Sequence, residues 1–257
     1  MKFKLIALAA ILAAAGSANA APINNGAAGN GGLVFSIWDS ANSYSRNLGY
    51  TIDSFEAGLA AAGNFKESFG DAAFTSFLGT ADLASLKWNV VANDASGARR
   101  VLETFTAPKP LTTKTNDTIR GLALGTQSFV TELNSKLATD NSATYAVGTT
   151  GYAGATNKFA DNGAGILNFS NAGTFASNTY GNGLSFMRIN ASATGIAAST
   201  YTPYVDGANS VKLYIEDVNG QKALTIAAVP EPESFAMLLA GLGLMGAIAR
   251  RRNKKSA

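Results

Sequence analysis

The chain has 257 residues, 20 of them Lys or Arg and 17 Asp or Glu, and it contains neither cysteine nor histidine. That excludes disulfides, thiolate nucleophiles and Cys-ligated metal, and it removes the usual general base near neutral pH and the commonest metal ligand. Seven basic residues are terminal (Lys2, Lys4, Arg250, Arg251, Arg252, Lys254 and Lys255); without them and without Glu231 and Glu233, 13 basic face 15 acidic side chains, so the body lacks the basic surface that nucleic-acid phosphates require.

Residues 1–20, MKFKLIALAAILAAAGSANA, combine a basic start, an apolar run from Leu5 to Ala15, and small residues at Ala18 and Ala20 before Ala21. This is the layout of a secretory signal peptide, cleaved after Ala20, and it makes signal peptidase an expected partner. Residues 21–32, APINNGAAGNGG, read as a flexible leader, with ordered structure expected to begin near Leu33.

From residue 33 to 228 the pattern predicts a β-rich ectodomain. In LVFSIWD, Leu33, Phe35 and Ile37 alternate with Val34, Ser36 and Trp38, the period of a strand with two distinct faces. TIDSFEAGLAAAG predicts a short helix, with Asp53 and Glu56 at capping-box spacing and Gly63 as a stop. A second helix is expected over residues 71–78, burying Phe74, Phe77 and Leu78. Two strands follow around the turn-rich NDASG, with Leu86, Trp88 and Val90 on one face.

TQSFVTELNSKLATD predicts the clearest helix, capped by Thr126, with Phe129, Val130, Leu133 and Leu137 as its apolar stripe and Lys136 near its negative end. Residues 141–200 are rich in Gly, Asn and Ser, with spaced aromatics, which suits short strands joined by turns or a mobile surface region. In SVKLYIEDVNGQKALTIAAV, Val211, Leu213 and Ile215 alternate with Lys212, Tyr214 and Glu216 before Asn219-Gly220, a strong hairpin signal. The fold expected is mainly β: an antiparallel β-sandwich or jelly-roll-like ectodomain with one to three short helices, flanked by an N-terminal signal helix and a C-terminal hydrophobic helix.

Candidate chemistry within this body is sparse. Glu216 and Asp217 are adjacent acids, but neighbours on a strand point to opposite faces, unlike a glycosidase pair. The turns at Asp161 and Asp217 carry oxygen ligands without matching an EF-hand loop, and Trp38 and Trp88 belong to core-like strand positions more than to sugar-stacking ones. Asn116, Asn168 and Asn190 open glycosylation triplets of the kind that arise by chance in such a composition. No cofactor is expected.

The C-terminal segment, residues 229–257, has three parts: Pro230-Glu231-Pro232, an uncharged stretch from Phe235 to Ala249, and the basic cluster Arg250-Arg251-Arg252. As a helix, that stretch would span about 22 Å against a hydrocarbon core of about 30 Å, with the arginines left on the cytoplasmic side. The ordered triplet of features resembles the PEP-CTERM sorting signal of exported bacterial proteins. The resemblance implies anchoring in the inner membrane, processing by an exosortase near Pro230-Glu231-Pro232, and transfer to the cell surface or the medium. Pro230 and Pro232 lack amide donors and favour extended backbone, which suits a strand gripped by a protease. Two functions are then expected to compete: a non-enzymatic surface or matrix protein associated with exopolysaccharide or biofilm, and a secreted polysaccharide hydrolase using Asp and Glu carboxylates.

Overall fold

Alternating apolar side chains set most of the strands in the computed structural model, which describes residues 22–62, 64–97, 99–105, 115–137, 141–154, 183–191, 195–206 and 209–229, with Met245. In chain order the elements are β1 (Gly32–Trp38), β2 (Asn42–Thr51), α1 (Ile52–Ala62), β3 (Asn64–Phe69), α2 (Ala72–Thr80), β4 (Lys87–Asn93) and β5 (Arg100–Phe105). They continue with α3 (Asn116–Asn134), β6 (Ser142–Ala146), β7 (Leu184–Asn190), β8 (Thr200–Pro203), β9 (Val205–Asp206), β10 (Asn209–Val218) and β11 (Gln221–Val229). The strands form one antiparallel sheet in the order β3-β11-β10-β7-β5-β4-β1-β2-β6, with β8 on β7 and β9 on β10.

The sheet curls back on itself. Phe35 of β1 stacks on Phe69 of β3 with ring centroids 4.6 Å apart, although six places separate these strands in the order. Arg46 of β2 pairs with Glu67 of β3 at 2.9 Å, closing the same gap by charge instead of by a strand ladder. The enclosed side holds Leu33, Phe35, Ile37, Tyr44, Trp88 and Val90 with Phe55 of α1 and Phe74 and Phe77 of α2. The outer side packs Val34, Trp38, Val91 and Val101 under Ile119, Phe129, Val130 and Leu133 of α3. Each such large side chain contributes roughly 1.5–3 kcal/mol when fully buried. The expected mainly β, antiparallel class with short helices is therefore observed, as a curled sheet with a core on both faces.

Local signals and structure agree where the signals depend on near neighbours. The faces expected for β1, β4 and β10 are the faces observed. Asn219 and Gly220 both adopt positive φ, 52° and 80°, closing the β10–β11 hairpin at Val218 and Gln221. That is the backbone of a primed two-residue turn.

Three local details differ. At α1 the reciprocal cap is Thr51 with Ser54, each side chain accepting the other's backbone N–H at 3.3 and 2.9 Å, and not Asp53 with Glu56. The short hydroxyls suit the cap, which frees the two acids for a distant arginine. Helix α3 starts at Asn116, capped by Thr115, so Thr126 lies buried in mid-helix and donates to the Leu122 carbonyl at 3.0 Å. Gly121 and Gly125 mask that first half in the sequence, but burial of Ile119, Leu122 and Ala123 outweighs their low propensity. Within the expected leader, Ile23 is buried and its N–H donates to Asn134 Oδ1 at 2.8 Å. A side chain at Gly26 or Gly31 would collide with the Asn93 carbonyl, so these glycines serve close approach.

Candidate functional site

The last strand carries its pairing to its final residue. Ala227 faces Asn64 of β3, and Ala228 and Val229 face Val211 and Ser210 of β10. Ser210 is in turn paired with Val205 of β9. Residue 230, the first proline of the sorting triplet, therefore follows directly on a strand held between two neighbours.

Beside this end of the sheet lies a cavity of about 300 Å³, lined by Glu56 and Leu59 of α1, Arg188 of β7, Thr202 of β8, and Tyr204 and Val205. Its polar wall is one network. Glu56 Oε1 accepts from the Tyr204 hydroxyl at 2.7 Å and from Arg188 Nη1 at 3.1 Å, while Oε2 accepts from Arg100 Nη1 at 3.3 Å. Arg100 also reaches Asp53 and Asp94, each at 2.7 Å, and Asp94 accepts the Gly31 N–H at 3.0 Å. Among the described residues, the buried Arg188 Nε has no hydrogen-bond partner.

Electrostatics hold two of the donors around this wall, Tyr204 and Arg100, in their protonated forms. Burial, reinforced by the Glu56 carboxylate, pushes the Tyr204 hydroxyl far above its ordinary pKa, so it stays a donor. Burial opposes the charge of Arg100, but Asp94 and Asp53 outweigh it and hold the guanidinium firmly protonated. A second cluster sits between β2, β3 and α2: Arg46 bridges Glu67 and Asp71, each at 2.9 Å, and Tyr44 donates to Asp71 at 2.7 Å. There burial raises the Glu67 pKa despite Arg46.

The acids singled out in the sequence do not converge. Burial tends to raise the Glu216 pKa, but Lys66 at 2.6 Å and Thr225 at 2.8 Å hold it below the usual range. Asp217 pairs with Lys222 at 2.8 Å across the hairpin. Trp88 and Trp38 are both buried, so neither presents a free face to a sugar. Asn116 is buried as well, and Asp161 and Asn168 lie outside the described residues. Among the described residues no group of three or more Asp or Glu side chains is placed to hold a metal.

Asp39 offers a pH handle on the fold. Its carboxylate accepts the N–H groups of Ala41 and Asn42, each at 2.8 Å, and of Asp82 at 3.2 Å. Burial tends to raise its pKa, yet these donors win and lower it. A folded pKa below the unfolded one gives stability that is complete above the ordinary carboxylate range and is lost as pH falls through it. Asp39→Asn is therefore expected to flatten the acid limb of a stability-against-pH curve measured by urea unfolding; an unchanged limb would assign the acid sensitivity elsewhere.

Residues 228–253 match the family described as the PEP-CTERM protein-sorting motif. The chain carries a PEP-CTERM sorting signal. The match begins at Ala228, inside β11, so the PEP-CTERM segment and the sheet share their boundary residues. Such a signal supports an exported, exosortase-targeted protein. Neither a curated protein nor a solved structure matches the chain. Pro230, Glu231, Pro232 and the Arg250, Arg251 and Arg252 cluster of the PEP-CTERM segment lie outside the described residues, as do Ala18, Ala20 and Ala21 of the expected signal-peptide junction. Among the described residues no helix is long and apolar enough to cross a membrane.

Proposed function

We propose that this is a non-enzymatic surface or matrix protein, exported through its N-terminal signal, held briefly at the inner membrane by its C-terminal segment, processed by an exosortase, and then associated with exopolysaccharide. The observation that carries the reading is the match of residues 228–253 to the PEP-CTERM sorting motif, directly continuous with β11. Pro230 and Pro232 lack amide donors and favour extended backbone, a preference that suits a segment gripped by a protease. The non-enzymatic reading is supported by the acids gathered beside the cavity, since Asp53, Glu56 and Asp94 are each paired with an arginine. A mixed wall of guanidinium, carboxylate, hydroxyls and apolar carbons is chemistry that hydrogen-bonds a hydroxylated polymer.

The test is the intact mass of the protein from the cell surface and medium, compared with that from the inner membrane, followed by co-sedimentation of the surface form with the cell's own exopolysaccharide. Loss of residues 1–20 and of the segment beyond Pro230-Glu231-Pro232, together with co-sedimentation, is the expected result. A surface form retaining the whole C-terminal segment would mean a plain membrane anchor, and a soluble form indifferent to the polymer would remove the matrix role.

A further inference from the structure

A second cavity, of about 200 Å³, lies between α2 and the paired strands β2 and β6. Ala73, Ser76, Phe77 and Thr80 line it from α2, at the i, i+3, i+4 and i+7 positions that form one face of a helix. Asn42 and Thr144 line it from the sheet: Thr144 is paired with Tyr44, two residues from Asn42 and on the same face. Tyr44 seats the helix, with its ring centroid 4.9 Å from that of Phe74 and 6.4 Å from that of Phe77. Asp71 fixes the start of α2 by accepting the Phe74 N–H at 2.9 Å, and it ties that end to Tyr44 and Arg46 of β2. The groove therefore stands between two anchored elements and is formed in advance of any ligand.

None of the lining residues is charged. Among the described residues, the side-chain amide of Asn42 and the hydroxyls of Ser76 and Thr144 make no hydrogen bond. Thr80 donates its hydroxyl proton to the Ser76 and Phe77 carbonyls, at 3.4 and 3.2 Å, and keeps its oxygen as an acceptor. Donors and acceptors thus stand side by side next to the carbon of Ala73 and Phe77. That combination matches a sugar ring, whose hydroxyls both donate and accept and whose C–H face is apolar. An ion would meet no opposite charge in the groove, and an apolar ligand would leave the amide and hydroxyls buried and unpaired.

Strand register sets this groove apart from the cavity of Glu56 and Arg188. Arg188 is paired with Leu102 and Leu102 with Ala92, while Val91, next to Ala92, shares a row with Val34 and Asn47. Arg188 thus stands one row beyond Asn47, about six residues of strand, or about 20 Å, from the level of Asn42. We infer that the α2 groove is a second carbohydrate site, taking one uncharged sugar ring, and that the protein is therefore bivalent toward a hydroxylated polymer. This rests on the proposed reading of the first cavity as a polymer-binding wall. Once one site holds the polymer, the other engages it at a raised effective concentration, so long chains are held roughly a hundredfold or more tighter than either site holds a short one. Such a protein stays on a matrix polymer while releasing free sugars.

The test titrates the surface form of the protein with di- and trisaccharides made by partial acid hydrolysis of the cell's own exopolysaccharide, too short to reach both cavities, and then with the intact polymer. Two oligosaccharides per protein are expected. Ser76→Phe and, separately, Thr144→Phe fill the groove from exposed positions on different elements, and an unchanged urea midpoint identifies each as folded. Both are expected to bind one oligosaccharide at unchanged affinity, and to lose at least about tenfold in apparent affinity for the intact polymer. At most one oligosaccharide on a parent protein that still binds the polymer, or two retained by a folded variant, would overturn the second site and leave the polymer-binding reading standing. A parent that binds neither the oligosaccharides nor the polymer would overturn both.

Discussion

Arg100→Ala is expected to lower the unfolding free energy of the mature protein by about 3–5 kcal/mol, the range for removing one partner of a buried ion pair. Arg100 is the hub between α1 and the turn that follows β4, reaching Asp53, Glu56 and Asp94 together. The side chain of Asp94 is only 1% exposed, and without Arg100 its charge keeps the Gly31 N–H but no cation. Leaving that carboxylate uncompensated is what makes the loss large. Arg100→Lys should recover part of it, since an ammonium keeps the charge but cannot present two separate guanidinium nitrogens to three carboxylates. Urea unfolding of the three proteins checks this; a midpoint for Arg100→Ala within error of the parent would make the network ornamental to the fold. The same measurement bears on the cavity, because Glu56 would lose one of its three donors.

Replacing Pro230, Glu231 and Pro232 together with alanine is expected to leave export and folding intact and to block C-terminal processing almost completely. The body should fold normally because the described pairing of β11 with β10 runs through Val229, upstream of the triplet. Processing should fail because alanines restore amide donors and helix propensity at the point where an extended, protease-accessible strand is needed. Intact mass reads the outcome: the variant retains its C-terminal segment and stays with the inner membrane, at an unchanged urea midpoint. A mature mass equal to that of the parent would remove the exosortase from the account.

Most of what was legible in the sequence depends on residues close together in the chain. Alternation in β1, β4 and β10 named the two faces of the sheet, because a strand's side chains alternate whatever lies beyond them. Asn219-Gly220 named the hairpin for a similar reason, since the turn's positive φ values are a property of two residues. The sorting signal was legible because order and spacing along the chain are its whole content, and residues 228–253 bear it out. Where local preference competes with packing, sequence and structure part: the cap expected at Thr126 gives way to one at Thr115, because burial of Ile119 and Leu122 carries the helix back to Asn116, and the glycines before β1 suggest freedom where Asn93 demands closeness.

The arginine networks and the cavity were decided by tertiary structure alone. Glu56 meets Arg188 and Tyr204 across 132 and 148 residues of chain, and no periodicity spans such distances. Curling of the sheet does this: it brings α1, at the end of β2, over the end of β7, so that charges spaced without pattern in the chain share one wall. It also sets the cavity beside the exit of β11, because strand pairing places Val205, Ser210 and Val229 in one row. By itself, then, the sequence determined the class of fold, the faces of its strands and its address, all of which are local or linear properties. Only the folded sheet decided which side chains stand together and which end of the molecule its address label leaves, because those depend on contacts between separate elements, reaching 148 residues apart for Glu56 and Tyr204.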